Sequence, residues 1–141
     1  QTDLGIKLGE MLGQKLLSSN FYKQVDFVVP VPLHQKKLKQ RGYNQSEYIA
    51  KGLADQLNCT LSTHHLLRNT ATDSQTKKAR YVRFENMQEV FDVKNAEEIK
   101  EKHILLVDDV VTTGATLEAC GNTLLDNGIE KLSIAAIAFA E

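Results

Sequence analysis

The stretch HILLVDDVVTTGAT, residues 103–116, decides both the fold and the candidate site of this chain. It begins as an apolar run, reaches the adjacent acids Asp108 and Asp109, and continues into a short turn rich in threonine. A continuously apolar run predicts a strand that is buried on both faces, as in a parallel sheet. Helical spacing of the apolar residues after the turn completes a predicted strand–turn–helix unit.

Segments typical of strands and of helices alternate along the rest of the chain. Strands are predicted at 25–33, 59–68, near the end of 83–93, at 103–109 and, as a buried strand, at 131–140. The predicted helix faces consist of Leu4, Leu8, Met11, Leu12 and Leu16; of Ile49, Ala50, Leu53, Ala54 and Leu57; and of Leu117, Cys120, Leu124 and Leu125. Because the strand interiors are continuously apolar, this order predicts an α/β fold with a mainly parallel sheet flanked by helices.

Three local patterns refine this prediction. Residues 34–42 are strongly basic and are predicted to form a loop. Asn44 followed by Glu47 predicts a helix N-cap with a capping-box partner. Residues 69–80 contain no apolar side chain larger than alanine, which predicts a mobile loop with a functional role.

The composition fits one globular domain. The chain has 141 residues, 42% of them hydrophobic and 25% charged, and a net charge of −1, which does not suggest a general nucleic-acid binder. No apolar stretch approaches the ~20 residues of a membrane-spanning helix. The two cysteines, Cys59 and Cys120, are far apart, so neither a disulfide framework nor a cysteine-rich zinc site is expected. This use of cysteine predicts a cytoplasmic location.

The acids and the turn suit two different parts of one ligand. In parallel α/β sheets, ligands bind beyond the carboxyl ends of the strands. A helix N-terminus preceded by threonine hydroxyls and by Gly114 predicts a phosphate cradle, whereas carboxylates would repel phosphate and suit hydroxyls or a divalent cation. A phosphate beside a vicinal diol describes a ribose 5-phosphate.

Two other interpretations explain this stretch less well. A plain strand end with a threonine-rich turn explains a lone acid pair or a lone turn, but it explains the complete run less well. A response-regulator receiver domain also places paired acids after its first strand. Only 33 residues follow Asp108, too few for the remaining strands of that fold.

With these residues in place, VDDVVTTGAT resembles the phosphoribosyl-pyrophosphate (PRPP) motif of type I phosphoribosyltransferases. Two further stretches are similar to the ComF competence-protein family, which includes GntX-like proteins: PVPLHQKKLKQRGYNQSEYIAKGLA and LLRNTATDSQTKKARYVRFENMQEVFDV. The similarity extends from about residue 25 to the C-terminus. It implies a type I phosphoribosyltransferase fold and one domain over 1–141, without the family's N-terminal cysteine-rich zinc element.

The resemblance also implies site residues. The implied catalytic residues are Asp108 and Asp109, which hold the ribose hydroxyls, and Lys77, Lys78 and Arg80 of the loop that carries Gln75. The implied 5-phosphate site is Thr112, Thr113, Gly114, Ala115 and Thr116, and the implied pyrophosphate site is Pro32, Leu33, His34 and Arg41. Arg41, Asn44 and Gln45 match the family's RGxNQ signature, and Arg83 and Asn86 match its shorter R..N pattern.

The implied reaction transfers the phosphoribosyl group of PRPP to an unidentified acceptor and releases pyrophosphate. Mg²⁺ is the implied cofactor, held mainly by the ligand with Asp108 and Asp109 as candidate contacts and no dedicated protein metal site. The implied partners are PRPP, pyrophosphate, the DNA-uptake machinery and a second copy of the chain in a homodimer. The alternative is a non-catalytic PRPP or nucleotide sensor, or an interaction module of that machinery.

The remaining polar residues have plainer interpretations. The cations at 34–41 suit a pyrophosphate, a solvated turn or a single-stranded DNA groove, although such a groove needs interleaved aromatics and only Tyr43 lies near. His34 can either contact pyrophosphate or face solvent, and its position in a basic segment slightly favours solvent. His64, His65 and His103 are predicted to be structural, because none lies at ligand spacing from a cysteine or an acid. Phe84 and Phe91 are predicted core residues.

Overall fold

A computed structural model describes residues 2–19, 24–69 and 90–140. The strands are β1 (Phe27–Pro30), β2 (Thr60–Leu61), β3 (Leu66–Asn69), β4 (Val90–Val93), β5 (His103–Val111) and β6 (Lys131–Phe139). The helices are α1 (Thr2–Leu17), α2 (Gln35–Arg41), α3 (Gln45–Leu57) and α4 (Ala115–Asp126), with a 3-10 helix at Ala96–Glu98. No helix in these described ranges combines the length and apolar character needed to cross a bilayer.

The central sheet is parallel throughout, in the order β2-β1-β5-β6. This confirms the α/β prediction. A separate antiparallel pair, β3 with β4, was not predicted. The predicted strand at 59–68 is in fact two short strands, because the turn at residues 62–65 interrupts it.

Two apolar clusters cover the two faces of the sheet, as the continuous hydrophobicity of β5 predicted. Alternate residues of a strand point to opposite faces. Ile104 and Leu106 accordingly belong to the cluster that α4 covers, together with Phe91 as predicted, and Leu105 and Val107 belong to the cluster that α3 covers. These four consecutive residues of β5 are fully buried, so this strand forms the centre of the core.

The first helix packs through glycines, and the predicted leucine face is only partly right, because Leu12 and Leu16 pack against the core. Gly5, Gly9 and Gly13 of α1 are buried, whereas Leu4 and Met11 are more than half exposed. The glycine stripe lets the backbone of α1 approach α3 closely. A Cβ at Gly9 would overlap the carbonyl of Ile49. Apolar periodicity did not reveal this glycine contact, because glycine has no apolar side chain to count.

Residues 35–41 form the helix α2, so the prediction of a loop at 34–42 is wrong. The His34 side chain accepts a hydrogen bond from the Lys36 backbone N–H, and Gly42 ends the helix in the left-handed conformation at φ 82°. Lysine, glutamine, leucine and arginine are all good helix formers. With both ends capped, seven residues are sufficient for two turns.

The last strand is not the buried strand that was predicted. In the described part of the chain β6 pairs with β5 only, at one margin of the sheet. Ala135 is buried, but Ile134, Ile137 and Phe139 are exposed, Phe139 by 80%. An apolar sequence therefore identified the strand without revealing its position at the edge.

Candidate functional site

The candidate site lies where β5 extends beyond its neighbour β1. Pro30 ends β1 opposite Val107, so Asp108 is the first residue of β5 past that partner. The sequence predicted that the strand ends at the acids. It instead continues to Val111 beside β6. Asp108 and Asp109 are therefore held by a paired strand, which fixes their backbone more firmly than a loop would.

Asp108 has a specific set of contacts. Its Oδ1 accepts hydrogen bonds from the Asp109 backbone N–H at 2.9 Å and from the Ser46 hydroxyl at 3.3 Å. Burial, followed by the neighbouring Asp109 carboxylate, raises the pKa of Asp108 to about 6. At pH 6 an ordinary aspartate is almost fully charged, whereas Asp108 is only about half charged. A hydroxyl donor or a cation near Asp108 would therefore stabilise its carboxylate form.

The raised pKa predicts how Asp108 affects stability. A carboxyl whose folded pKa exceeds its unfolded value destabilises the fold as the pH rises from about 4 to 6. Asp108→Asn should therefore stabilise the free protein at pH 7.5 but not at pH 4. The group is partly exposed, so solvent screening limits the gain at pH 7.5 to about 1–2 kcal/mol. Urea unfolding of both proteins at both pH values measures it, and equal differences at the two pH values would contradict this origin.

The threonine-rich turn forms an open depression beside Asp108. The depression has a volume of about 230 Å³ and is lined by Asp108, Val110, Val111, Thr112, Thr113, Gly114, Ala115, Thr116 and Leu117. Gly114 is the N-cap of α4 at φ 83°, and Thr113 Oγ1 accepts a hydrogen bond from the Ala115 N–H at 3.2 Å. The first backbone N–H groups of a helix lack intrahelical partners, so this end of α4 favours an anion.

The RGYNQ stretch connects the site to α3. Asn44 caps α3 by accepting from the Ser46 N–H at 3.1 Å, as predicted, and its Nδ2 donates to the Val31 carbonyl at 3.1 Å. Ser46, buried at 4% exposure, then contacts Asp108. The same short segment therefore fixes the chain after β1, the start of α3 and one acid of β5. Sequence reasoning missed Ser46, although its place just after a helix cap was a usable signal.

The turn after β1 brings in a second residue that sequence reasoning missed. Arg68 of β3 donates from Nη1 to the Pro32 carbonyl at 3.3 Å, and its guanidinium lies 5.4 Å from the centre of the Phe91 ring. Burial lowers the pKa of Arg68, while Asp108 and Cys120 act in the opposite direction. His34 is half-buried as the α2 cap and does not simply face solvent. Arg68 thus supports the backbone of the implied pyrophosphate turn.

The structure brings together only part of the predicted site. Asp108 and the turn at 112–116 line one depression, and Pro32 and Leu33 follow the end of the adjacent strand. Arg41 is exposed in the last turn of α2, whose Lys36, Lys37 and Lys39 are exposed as well. The predictions for Gln75, Lys77, Lys78, Arg80, Arg83, Phe84 and Asn86 concern residues outside the described ranges.

Comparison with known families and proteins agrees with this geometry. A family of phosphoribosyl transferase domains matches residues 44–141. Competence protein ComFC of Bacillus subtilis is 34% identical over 111 residues, 78% of this chain and 43% of that protein. DNA utilization protein YhgH of Escherichia coli K12 is 32% identical over 109 residues, 77% of this chain and 47% of that protein. The chain thus spans about half the length of the curated relatives it matches.

Solved structures support the fold independently. An allosteric regulatory enzyme of purine biosynthesis superimposes with a TM-score of 0.66 at 19% identity, over 94% of this chain and 25% of that one. A hypoxanthine phosphoribosyltransferase from Staphylococcus aureus gives a TM-score of 0.57 at 15% identity, over 96% of this chain and 63% of that one. At these identities the likeness shows a shared type I fold.

Proposed function

The chain belongs to the phosphoribosyltransferase family, and we propose that it binds PRPP at the carboxyl end of β5 and transfers its phosphoribosyl group to an acceptor. One observation carries the proposal. Asp108 and the anion-favouring turn at 112–116 line the same depression, which supports binding of the ribose hydroxyls and the 5-phosphate side by side. The reaction breaks the C1–O bond to pyrophosphate and forms a bond from C1 to the acceptor.

The chain's residues would act by positioning and by charge. Asp108 and Asp109 accept hydrogen bonds from the ribose hydroxyls, and the start of α4 holds the 5-phosphate. Arg68 and Asn44 fix the turn after β1, where the pyrophosphate would lie, through the Pro32 and Val31 carbonyls. A transition state that resembles an oxocarbenium ion needs little acid–base help, so catalysis would rest on orientation and on stabilising the departing charge.

Mg²⁺ fits this set of donors as a partner of the substrate. The cation prefers oxygen ligands and retains several waters, and the half-buried Asp108 carboxyl, with its raised pKa, would gain from a nearby cation. Asp108 and Asp109 would help the ligand's own oxygens to hold the ion, which would supply positive charge to offset that of pyrophosphate. Lys77, Lys78 and Arg80 are proposed, from the family resemblance alone, to contribute further positive charge.

The test separates binding from turnover. Calorimetric titration of PRPP with Mg²⁺ present should show one site per chain, and a pyrophosphate-release assay against nucleobases and ammonia should identify an acceptor. Binding without release for every acceptor would favour the second candidate, a PRPP sensor or a module of the DNA-uptake machinery. The names of the curated relatives, a competence protein and DNA utilization proteins, support keeping this second candidate function. Absence of PRPP binding would overturn both the transferase and the PRPP sensor and would leave the interaction module.

Gly114→Val provides a sharper test of the phosphate cradle. A β-branched residue is strongly disfavoured at φ 83°, so the turn should rearrange and ribose 5-phosphate affinity should fall at least about tenfold. Gly128→Val is the matched control, because Gly128 lies just beyond the other end of α4 with φ 93°. Titration of both folded variants measures the effect. Normal binding by Gly114→Val would place the cradle elsewhere.

A further inference from the structure

A second group of chemically capable side chains lies near the amino end of the sheet, away from the acids of β5. His64 and His65 are in the turn between β2 and β3, and Glu98 ends the 3-10 helix that precedes β5. One ligand atom from each of the three residues lies within 4.8 Å of the others. The fold thus joins two adjacent histidines to an acid 33 residues further along the chain.

The structure assigns these three residues to a zinc site, and we propose that they bind Zn²⁺ as a His-His-Glu set. Two imidazoles and one carboxylate are a common zinc set, with a fourth position left for water. Zinc binding at these residues would not depend on PRPP binding. The earlier prediction that these histidines are merely structural rested on spacing along the sequence, which could not show that Glu98 lies 2.7 Å from His65 Nε2.

The surroundings of His65 resemble the outer shell of a metal ligand. Its ring is buried at 3% exposure and packs edge-on against Phe27, while Nδ1 lies 2.5 Å from the Ser62 hydroxyl. A metal-bound histidine usually donates its other N–H to such an oxygen, which fixes the tautomer and the ring orientation. The Ser62 hydroxyl oxygen can accept a hydrogen bond from His65 Nδ1–H when Nε2 carries the metal.

The distances show which residues must adjust. Zinc bonds of about 2.0–2.2 Å in a tetrahedron place ligand atoms about 3.3 Å apart. The 2.7 Å contact between His65 and Glu98 must therefore widen slightly, and the His64 ring, now tilted 33° against that of His65, must turn toward the ion. His64 and Glu98 are exposed and can make these movements, whereas His65 is held in place.

A hydrolytic interpretation of the same residues does not fit. Ser62, His65 and Glu98 form the hydrogen-bond chain of a serine–histidine–acid triad. However, Ser62 is only 1% exposed, and its hydroxyl is covered by the core. A nucleophile that no substrate can reach does not act on one. Ion binding at His65 Nε2, beside the exposed Glu98, is the chemistry that remains.

A zinc ion at this site would join two connections of the fold, the turn between β2 and β3 and the segment between β4 and β5. His65 immediately precedes β3, the strand that carries Arg68, and Glu98 precedes β5, the strand that carries both acids. These two connections are already joined by a hydrogen bond from the Lys94 N–H to the His65 carbonyl and, between side chains, by the contact of His65 with Glu98. An ion with three ligands would replace that contact with a stronger brace, so zinc should raise the thermal unfolding midpoint.

The experiment is a competitive titration of Zn²⁺ into the purified, tag-free full chain with a chromophoric chelator. We expect one ion per chain at micromolar or tighter affinity, weakened at least about tenfold by His64→Ala and by Glu98→Gln. Both replaced side chains are exposed, so both variants should fold. Glu97→Gln, an exposed neighbour in the same 3-10 helix, is the matched control and should bind within about twofold of the parent chain.

Cobalt substitution distinguishes this site from the two cysteines. Co²⁺ should give the visible absorption of a four- or five-coordinate ion without the near-ultraviolet band of a cobalt–thiolate bond. A thiolate band would assign the metal to Cys59 or Cys120 and overturn the proposal. Absence of stoichiometric zinc binding would also overturn it, as would unchanged affinity in both His64→Ala and Glu98→Gln.

Discussion

Replacing both Asp108 and Asp109 with asparagine is expected to lower PRPP affinity at least about a hundredfold while the chain remains folded. Each carboxylate that accepts a hydrogen bond from the ribose diol contributes about 1.5–3 kcal/mol, and a neutral amide accepts more weakly. The fold should tolerate the change because Asp108 is destabilising when charged, as its raised pKa indicates. Calorimetric titration of PRPP with Mg²⁺ measures the loss.

A control for this result removes two acids at and just beyond the C-terminal end of α4, away from the acids of β5. Asp126→Asn with Glu130→Gln changes the net charge of the chain by the same amount, and both side chains are exposed. This variant should bind PRPP as the parent chain does. If the Asp108, Asp109 double variant also kept full affinity, the acids would not be the diol site, although the phosphate cradle could still be tested through Gly114.

The second large effect concerns the contact between α1 and α3. Gly9→Ala is expected to lower the free energy of unfolding by at least about 2 kcal/mol, because the new methyl group would overlap the Ile49 carbonyl and force the two backbones apart. Alanine has a higher helix propensity than glycine by about 1 kcal/mol, and this gain is too small to compensate. Urea unfolding monitored by circular dichroism gives the difference.

Two comparisons make the result specific to this contact. Gln14→Ala lies on the exposed side of α1 and should change stability by less than about 0.5 kcal/mol. Gly13→Ala lies on the same stripe, and its methyl group would lie 2.6 Å from the Gln56 Cβ. This overlap is less severe than that with the Ile49 carbonyl, so the cost should be smaller than that of Gly9→Ala. Equal stability of Gly9→Ala and Gln14→Ala would show that the helices separate at no cost.

Much of the fold followed from local patterns that act over a few residues. The continuous apolar run of β5 predicted its burial, and Asn44 predicted the start of α3, because strand burial and helix capping are encoded close to where they act. The position of β6 at the edge was not encoded in this way. Exposure of Ile137 depends on which strand lies beside it, and hydrophobicity along one strand does not report that.

The candidate sites divide along the same line. The acids and the threonine turn are consecutive in sequence, so one motif predicted them together. Three other interactions join residues that are far apart in sequence: Ser46 with Asp108 over 62 positions, Arg68 with Pro32 over 36, and His65 with Glu98 over 33. Long-range juxtaposition of this kind is a property of the packed chain, and no local pattern contained it.

The two hydrogen bonds of Asn44 imply a narrow choice of residue at that position. The side chain must accept from the Ser46 N–H and donate to the Val31 carbonyl at the same time. Aspartate would cap the helix but place its charge against a carbonyl oxygen, serine would be too short to reach Val31, and glutamine would be one methylene too long. Asparagine is thus the one side chain whose length and polarity satisfy both ends, and other sequences that keep this connection face the same restriction.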